Sequence, residues 1–327
     1  MNERDLVARL SAGPASGAEL ARLAGLTRAA VWKQVEALRA AGLPVAAVPG
    51  RGYRLEGAPE LLDPEAIRAG LPVDCAARLA SLEVAWSLDS TNSELLRRPA
   101  PAAGAAVLLA ERQTGGRGRR GRAWASPLAA NVYLSVSQRF GGGLSRLPGL
   151  SLVAGVATAE ALAALGIDAV RLKWPNDLVI VEGRALRKLG GLLVEGGGEA
   201  GGPARAVLGL GLNVAMPDAG AGAIDQAWID LATLAGPRVP GRNAIVAMLL
   251  RHWLPALAQF DAAGLEPFLE RYARFDALAG RAVRVEREGT WREGESIGLA
   301  ADGALRVRID GAEQRVHAGD VSVRGAP

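Results

Sequence analysis

Gly116-Arg117-Gly118-Arg119-Arg120-Gly121 spells the G-x-G-x-x-G spacing of a dinucleotide-binding loop, and its flanks decide the fold by contradicting that reading. A Rossmann loop opens a helix and is followed about twenty residues later by an acid for the ribose. Here Trp124-Ala125-Ser126-Pro127 follows, then a strand-like run at 131–137, and no Asp or Glu occurs between Glu111 and Glu160. The Gly-Lys-Ser/Thr ending of a Walker loop is missing as well. What the segment from Gly115 to Arg122 does offer is physical. Glycines let backbone N–H groups approach an anion, and Arg117, Arg119, Arg120 and Arg122 add charge and forked donors suited to phosphate. A solvated basic loop or a nucleic-acid patch has the same composition, so other motifs must decide.

Outward from the loop, apolar runs at 105–110, 131–137, 169–173, 178–181, 191–195 and 206–214 read as strands, and 149–165, 244–260 and 267–275 as helices. The strands are not separated by helices one for one, which predicts an α+β mixed sheet rather than a doubly wound parallel one. Upstream, residues 3–42 carry apolar positions at helical spacing in three short groups, with Thr27 as N-cap of the third, and 45–55 reads as a hairpin around Pro49-Gly50. A trihelical unit with a hairpin is a winged helix-turn-helix. Gly57-Ala58-Pro59-Glu60 reads as a hinge, and Gly196 to Gly202 as a surface loop. After Gly280 short alternating strands separated by Asp302-Gly303 and Asp310-Gly311 predict a small SH3-like β-barrel. The expected division is 1–58, 64–277 and 278–327.

A chain of 327 residues, half of them hydrophobic and 22% charged, can bury more than one core. Arg, Asp, Glu, Gly or Pro interrupts every apolar stretch before the roughly 20 residues of a membrane span. The start lacks the apolar region of a secretory signal, and a single cysteine, Cys75, excludes an internal disulfide, so a cytoplasmic location is expected. The net charge of +4 accommodates an anionic partner.

Three further clusters could carry chemistry. Lys173-Trp174-Pro175-Asn176-Asp177 ends a strand with a cation, a rigid corner and polar groups. Lys188-Leu189-Gly190-Gly191 sets a lysine before two glycines that lead into the apolar run ending at Glu195, where it could sit over a ligand carboxylate or simply start a solvated strand. Gly209-Leu210-Gly211-Leu212-Asn213 strips one strand face of side chains, which leaves room for a flat ligand or for a close sheet-helix contact. The two histidines, His252 and His317, have no metal-ligand spacing with Cys75, and no nucleophile-histidine constellation is evident, so no protein metal site is expected. Cationic clamps without a nucleophile point to phosphoryl or nucleotidyl transfer by positioning and electrostatics.

Taken with Ser90-Thr91-Asn92 and Gln113-Thr114, these motifs resemble the biotin protein ligase family in order and spacing, in its bifunctional form with an N-terminal winged helix that serves as biotin operon repressor. The resemblance spans nearly the whole chain and implies a class II synthetase-like catalytic domain. It implies that biotin and ATP give biotinyl-5′-AMP, and that a lysine of the biotin carboxyl carrier protein of acetyl-CoA carboxylase then takes the biotinyl group. It assigns Lys188 and Arg119 to catalysis, and Ser90, Thr91, Asn92, Gln113, Gly116, Arg117, Gly118, Arg119, Lys188 and Gly191 to biotin. Arg119, Arg122, Lys173, Asn213, Trp228 and Arg324 fall to ATP and the adenylate, with Mg2+ arriving on ATP. Arg28, Trp32, Lys33, Arg51 and Arg54 fall to operator DNA, bound by a homodimer loaded with biotinyl-AMP. A biotin-sensing transcription factor without catalysis and a lipoate ligase-like acyl transferase are the alternatives.

Overall fold

The computed structural model describes residues 2–57, 59–141, 143, 147–198, 204–217, 224–287, 290–318 and 322–325, with backbone alone at 148, 198, 287 and 322–325. The amino-terminal unit holds α1 (Glu3–Ser11), α2 (Gly17–Ala24) and α3 (Arg28–Ala40), then the antiparallel wing β1 (Val45–Val48) and β2 (Gly52–Leu55). Each helix begins on a side-chain cap: Asn2 forms a capping box with Asp5, and Ser16 and Thr27 accept from Glu19 and Ala30 N–H groups. Their apolar faces meet in a small core of Leu6, Leu10, Leu20, Val31, Val35 and Leu38. The winged helix-turn-helix expectation is met. Of the expected hinge, Ala58 lies outside the described residues.

After α4 (Pro64–Ala69) and α5 (Val73–Ala76), the central unit is built on a seven-stranded sheet. Its strands are β3 (Leu79–Leu88), β4 (Ala105–Gln113), β5 (Val132–Phe140), β6 (Val170–Lys173), β7 (Asp177–Glu182), β8 (Ala185–Gly198) and β9 (Ala204–Leu212), in the order β3-β4-β5-β9-β8-β7-β6. Only β3 and β4 run parallel, so the sheet is mixed as expected. Strand β3 escapes the sequence reading because it is a half-buried edge whose Leu79-Ala-Ser-Leu-Glu-Val-Ala-Trp-Ser-Leu88 has no clean alternation. The surface loop expected from Gly196 is instead strand as far as Gly198, and 199–202 lie outside the described residues.

Helix α6 (Thr91–Arg97) lies against β4, β5 and β9, and α7 (Leu147–Ala164) packs on the sheet with the two helices that close this unit. Those closing helices, after the short α8 (Leu231–Ala235), are α9 (Arg242–Ala263) and α10 (Glu266–Phe275). Trp253 of α9 donates to Thr158 of α7 at 2.9 Å within the main core. The carboxyl-terminal unit is an antiparallel sheet in the order β13-β12-β11-β10-β14, formed by β10 (Ala282–Arg287), β11 (Thr290–Leu299), β12 (Leu305–Ile309), β13 (Ala312–Val316) and β14 (Ser322–Gly325). Asp310 and Gly311 both take positive φ, 50° and 79°, in the two-residue turn foreseen there.

The amino-terminal unit is seated on the central one. Leu128 and Ala129 complete its core, Leu128 N–H donates to the Ala41 carbonyl at 2.8 Å, and Trp86 of β3 donates to Glu3 at 2.9 Å. The segment between the units is fastened by a buried ion pair, Arg242 to Glu111 at 2.8 Å, whose side chains are 5% and 3% exposed. That approach is a charge contact rather than an aligned hydrogen bond, since Glu111 Oε2 has no hydrogen-bond partner. The other Glu111 oxygen accepts from Leu62 N–H, and Arg242 donates to the Glu60 carbonyl at 3.0 Å. Removing one member of a buried pair strands the other charge, at about 3–5 kcal/mol. Arg242→Ala is therefore expected to cost that much stability in urea unfolding. Arg274→Ala, which breaks a pair 67% and 85% exposed, should cost below about 0.5 kcal/mol.

Candidate functional site

The Gly-Arg loop leaves β4 at Gln113 and is anchored at its base: Thr114 N–H donates to the Leu88 carbonyl at 2.9 Å and Gly115 N–H to the Asp89 carbonyl at 2.8 Å. It closes on itself through Gly118 N–H to the Arg122 carbonyl, 2.7 Å, and Trp124 N–H to the Gly116 carbonyl, 2.9 Å. A single 3-10 turn at Arg119–Gly121 sits at the tip, with Arg120 at φ 57°. No α-helix starts here, so the fingerprint spacing has no helix dipole to use.

The arginines diverge. Arg117 leaves the tip and pairs with Glu195 on β8 at 3.0 Å, also donating to Ser93 at 3.0 Å. Arg119 turns inward, donating to Asn176 at 3.3 Å and to the Ala318 carbonyl of the carboxyl-terminal unit. Burial, and then the adjacent Arg120 charge, lower its pKa from the usual arginine value. Arg120 and Arg122 stay exposed at the rim.

Beneath Arg119 lies the second cluster. Lys188 Nζ is 2.7 Å from Asp177 Oδ1 and 5.4 Å from the centre of the Trp124 ring. Asn176 is pinned to β8 by two 2.8 Å bonds, its Nδ2 to the Leu192 carbonyl and its own carbonyl from Leu192 N–H. Lys173 stands opposite Asp177 in the β6–β7 register, and Trp174 donates to the Gly303 carbonyl at 3.1 Å, tying this corner to the carboxyl-terminal unit. Lys188 also pairs through its backbone with the 227–229 segment, which puts half-exposed Trp228 beside it, and Asn213 Nδ2 donates to the Ile229 carbonyl at 3.1 Å. The Asn213 Oδ1 atom is buried without a hydrogen-bond partner.

The third cluster stands on α6. Ser90 caps that helix, its hydroxyl accepting from Ser93 N–H at 3.4 Å, and Arg97 holds the Asp89 carboxyl at the helix base down to a pKa of about 2. Gln113 Oε1 accepts from Thr91 N–H at 2.8 Å while its Nε2 donates to Ser126 at 3.3 Å. The structure thus gathers Thr91, Asn92, Gln113, Gly116 and Arg117 on one side and Arg119, Lys173, Lys188, Gly191, Asn213 and Trp228 on the other, with Trp124 between. Arg122 is at the rim, and the Arg324 side chain lies outside the described residues. A cavity of about 280 Å³, lined by Ser81, Glu83, Leu95, Arg98 and Ser137, takes in none of the expected site residues.

The glycines of β9 do not leave an open face. A Cβ on Gly211 would stand 2.4 Å from the Trp124 ring, and one on Gly209 2.3 Å from Asn92 Oδ1, so the protein's own side chains fill that space. Trp124, Asp177, Asn176 and Ser135 are site residues for which the sequence reading gave no role. Ser135 had a signal, a polar residue at an inward position of an apolar strand, and it is fully buried. Among the described residues no three His, Cys, Asp or Glu side chains gather as a metal site, and Asp177 is paired with Lys188.

The family model described as biotin/lipoate A/B protein ligase matches residues 84–213, flanked by an HTH domain at 2–54 and the biotin protein ligase C-terminal domain at 279–324. The bifunctional ligase/repressor BirA of Escherichia coli is 40% identical over 95% of this chain and 93% of its own length. The chain belongs to the biotin protein ligase family. The biotin–[acetyl-CoA-carboxylase] ligase of Mycobacterium tuberculosis is 34% identical over 80% of this chain and 95% of its own. The Aquifex aeolicus biotin protein ligase, solved with biotin and ATP, shares the fold at a TM-score of 0.63 and 24% identity, covering 76% of this chain and all of that one. For this biotin protein ligase family member, Gly211→Ala should push Trp124 from beneath Lys188. Overpacking of that kind costs about 1–3 kcal/mol, read by urea unfolding together with loss of the Trp124 contribution to near-ultraviolet circular dichroism.

Proposed function

We propose that this chain joins biotin to ATP as biotinyl-5′-AMP, releasing pyrophosphate, and passes the biotinyl group to a lysine of the biotin carboxyl carrier protein of acetyl-CoA carboxylase. In the first step a biotin carboxylate oxygen bonds to the α-phosphorus as the bond to pyrophosphate breaks. In the second, the carrier amine attacks the acyl carbon, AMP leaves, and the amine loses its proton.

The observation that supports this reading is the Lys188–Asp177 pair at 2.7 Å over Trp124, with half-buried Arg119 beside it. Two anions must meet in the first step, and cations fixed out of bulk water offset their repulsion more strongly than solvated ones. Asp177 holds Lys188 in place before substrate arrives, and Asn176 does the same for Arg119. Thr91, Gln113 and the backbone of Gly116 to Gly118 form the biotin side, and Asn213 and Trp228 the nucleotide side. Mg2+ comes with the ATP phosphates. The chain's own residues supply charge and orientation, without a covalent enzyme intermediate.

The same protein represses transcription as a homodimer of biotinyl-AMP-loaded chains. Arg28, Trp32 and Lys33 on α3, and Arg51 and Arg54 on the wing, are all exposed and form its DNA face. The described helices include none long and apolar enough to cross a membrane.

Biotin-dependent exchange of pyrophosphate into ATP tests the enzyme. Lys188→Ala should lower it by at least about 100-fold with folding intact by circular dichroism, and undiminished exchange would remove Lys188 from the reaction. For DNA, Arg28→Ala should weaken operator binding and reduce the salt slope by about one, whereas an unchanged slope would take that side chain off the phosphates.

A further inference from the structure

Behind the biotin-side residues runs a chain of hydrogen bonds that starts at Glu195. Its carboxylate can only accept, and it takes Asn92 Nδ2 at 2.9 Å and Arg117 Nη2 at 3.0 and 3.2 Å. Asn92 Nδ2 also faces the Leu193 carbonyl at 3.2 Å, a second group that can only accept. Chemistry therefore settles the orientation of this amide, with nitrogen toward Glu195 and oxygen toward Ser135. Ser135 Oγ is 2.6 Å from Asn92 Oδ1 and gives that oxygen its single proton. The 2.7 Å contact between Ser135 Oγ and Thr91 Oγ1 then has to be made by the Thr91 proton. The other acceptor in reach of that proton is Gln113 Oε1 at 3.1 Å, itself oriented by Thr91 N–H. Both destinations lie within the protein. Thr91 Oγ1 is left with lone pairs alone to offer a ligand.

We propose that Glu195 is a positioning residue for substrate selection: together with the Leu193 carbonyl it forms the acceptor-only end that sets the direction of the Asn92–Ser135–Thr91 chain, so that Thr91 meets the substrate as an acceptor. The proposal rests on the reading that biotin occupies the Thr91–Gln113 side. Biotin's carboxylate, ureido carbonyl and sulfur accept, and its donors are the two ureido N–H groups, so a ureido N–H faces Thr91. Gly209 belongs to the device, because a Cβ there would stand 2.3 Å from the Asn92 oxygen and displace it.

The test compares biotin with the two cyclic carbamates in which one or the other ureido N–H is replaced by ring oxygen, using pyrophosphate exchange by the full-length protein. The parent should favour biotin over one carbamate by about 100-fold or more in kcat/KM, because a buried acceptor left facing an oxygen is strongly penalised. The Glu195→Gln amide can donate as well as accept, so of the two acceptors that hold Asn92 only the Leu193 carbonyl, the longer contact, still opposes reversal. That variant should raise KM for biotin about 10-fold, hold kcat within about twofold, and narrow the ratio for that carbamate about 10-fold. Arg117→Ala loosens the same loop while leaving the Glu195 carboxylate on Asn92, and supplies the control ratio. If Glu195→Gln folds poorly, Gly209→Ala disturbs Asn92 from the other side and should narrow the same ratio. A ratio equal to the parent's in a folded variant, whatever the overall rate, overturns the proposal, as does a parent that accepts both carbamates as well as biotin. Thr91→Val separates the two readings. An unchanged KM for biotin removes biotin from Thr91, whereas a raised KM with an unmoved Glu195→Gln ratio keeps the site and removes Glu195 from selection.

Discussion

The constraint on which the site depends is the bare backbone of β9 at Gly209 and Gly211. Because neither carries a Cβ, Asn92 lies on one and the Trp124 ring on the other, both nearer than any side chain would allow. Trp124 then forms a surface under Lys188, and Asn92 links Glu195 to Ser135. The loop is thereby held at both ends, through Arg117 to Glu195 and through Trp124 to β9, before any anion binds. Such preorganisation matters most where two negatively charged reactants must be brought together, since cations fixed beforehand need no reordering at the moment of reaction.

That constraint was only half legible in the sequence. Alternating glycines at 209 and 211 identify a strand face without side chains, and period-two reasoning finds it. Periodicity does not say what fills the space, and here it is Asn92 and Trp124, from segments about a hundred residues earlier in the chain. The Gly-Arg loop was legible in a different way. Its fingerprint spacing lacked a following helix and a following acid, and the closed turn at its tip is the structural form of that failure. Asp177 and Glu195 carry no role legible from sequence, because an acid's partner is set by strand register. The pairing of Asp177 with Gly191 across β7 and β8 explains the meeting with Lys188, and a register shift between Leu178 and Val179 makes that meeting unreadable from spacing.

The outer architecture was more legible because it rests on local signals. Asn2, Ser16 and Thr27 announce their helices, and Asp310-Gly311 its hairpin, through bonds and φ values confined to a few residues. Edge strand β3 carries no such signal. Its Trp86 is an interdomain residue, reaching Glu3 of α1, so its burial follows from tertiary docking rather than strand pattern.

The same docking joins the two ends of the proposed function. The segment that leaves the Gly-Arg loop runs Trp124-Ala125-Ser126-Pro127-Leu128-Ala129, and it spans the structure from site to winged helix. Trp124 lies beneath Lys188, Ser126 accepts from Gln113, Leu128 bonds to Ala41 just after α3, and Ala129 N–H donates to the carbonyl of Glu111. Glu111 is in turn buried against Arg242 and the interdomain segment at Leu62. Packed side chains thus hold this short stretch at Trp124, Ser126 and Leu128, so the loop and the winged-helix contact rest on the same few residues. The winged helix is therefore packed onto the central unit through residues just beyond the loop, and its core is completed by Leu128 and Ala129.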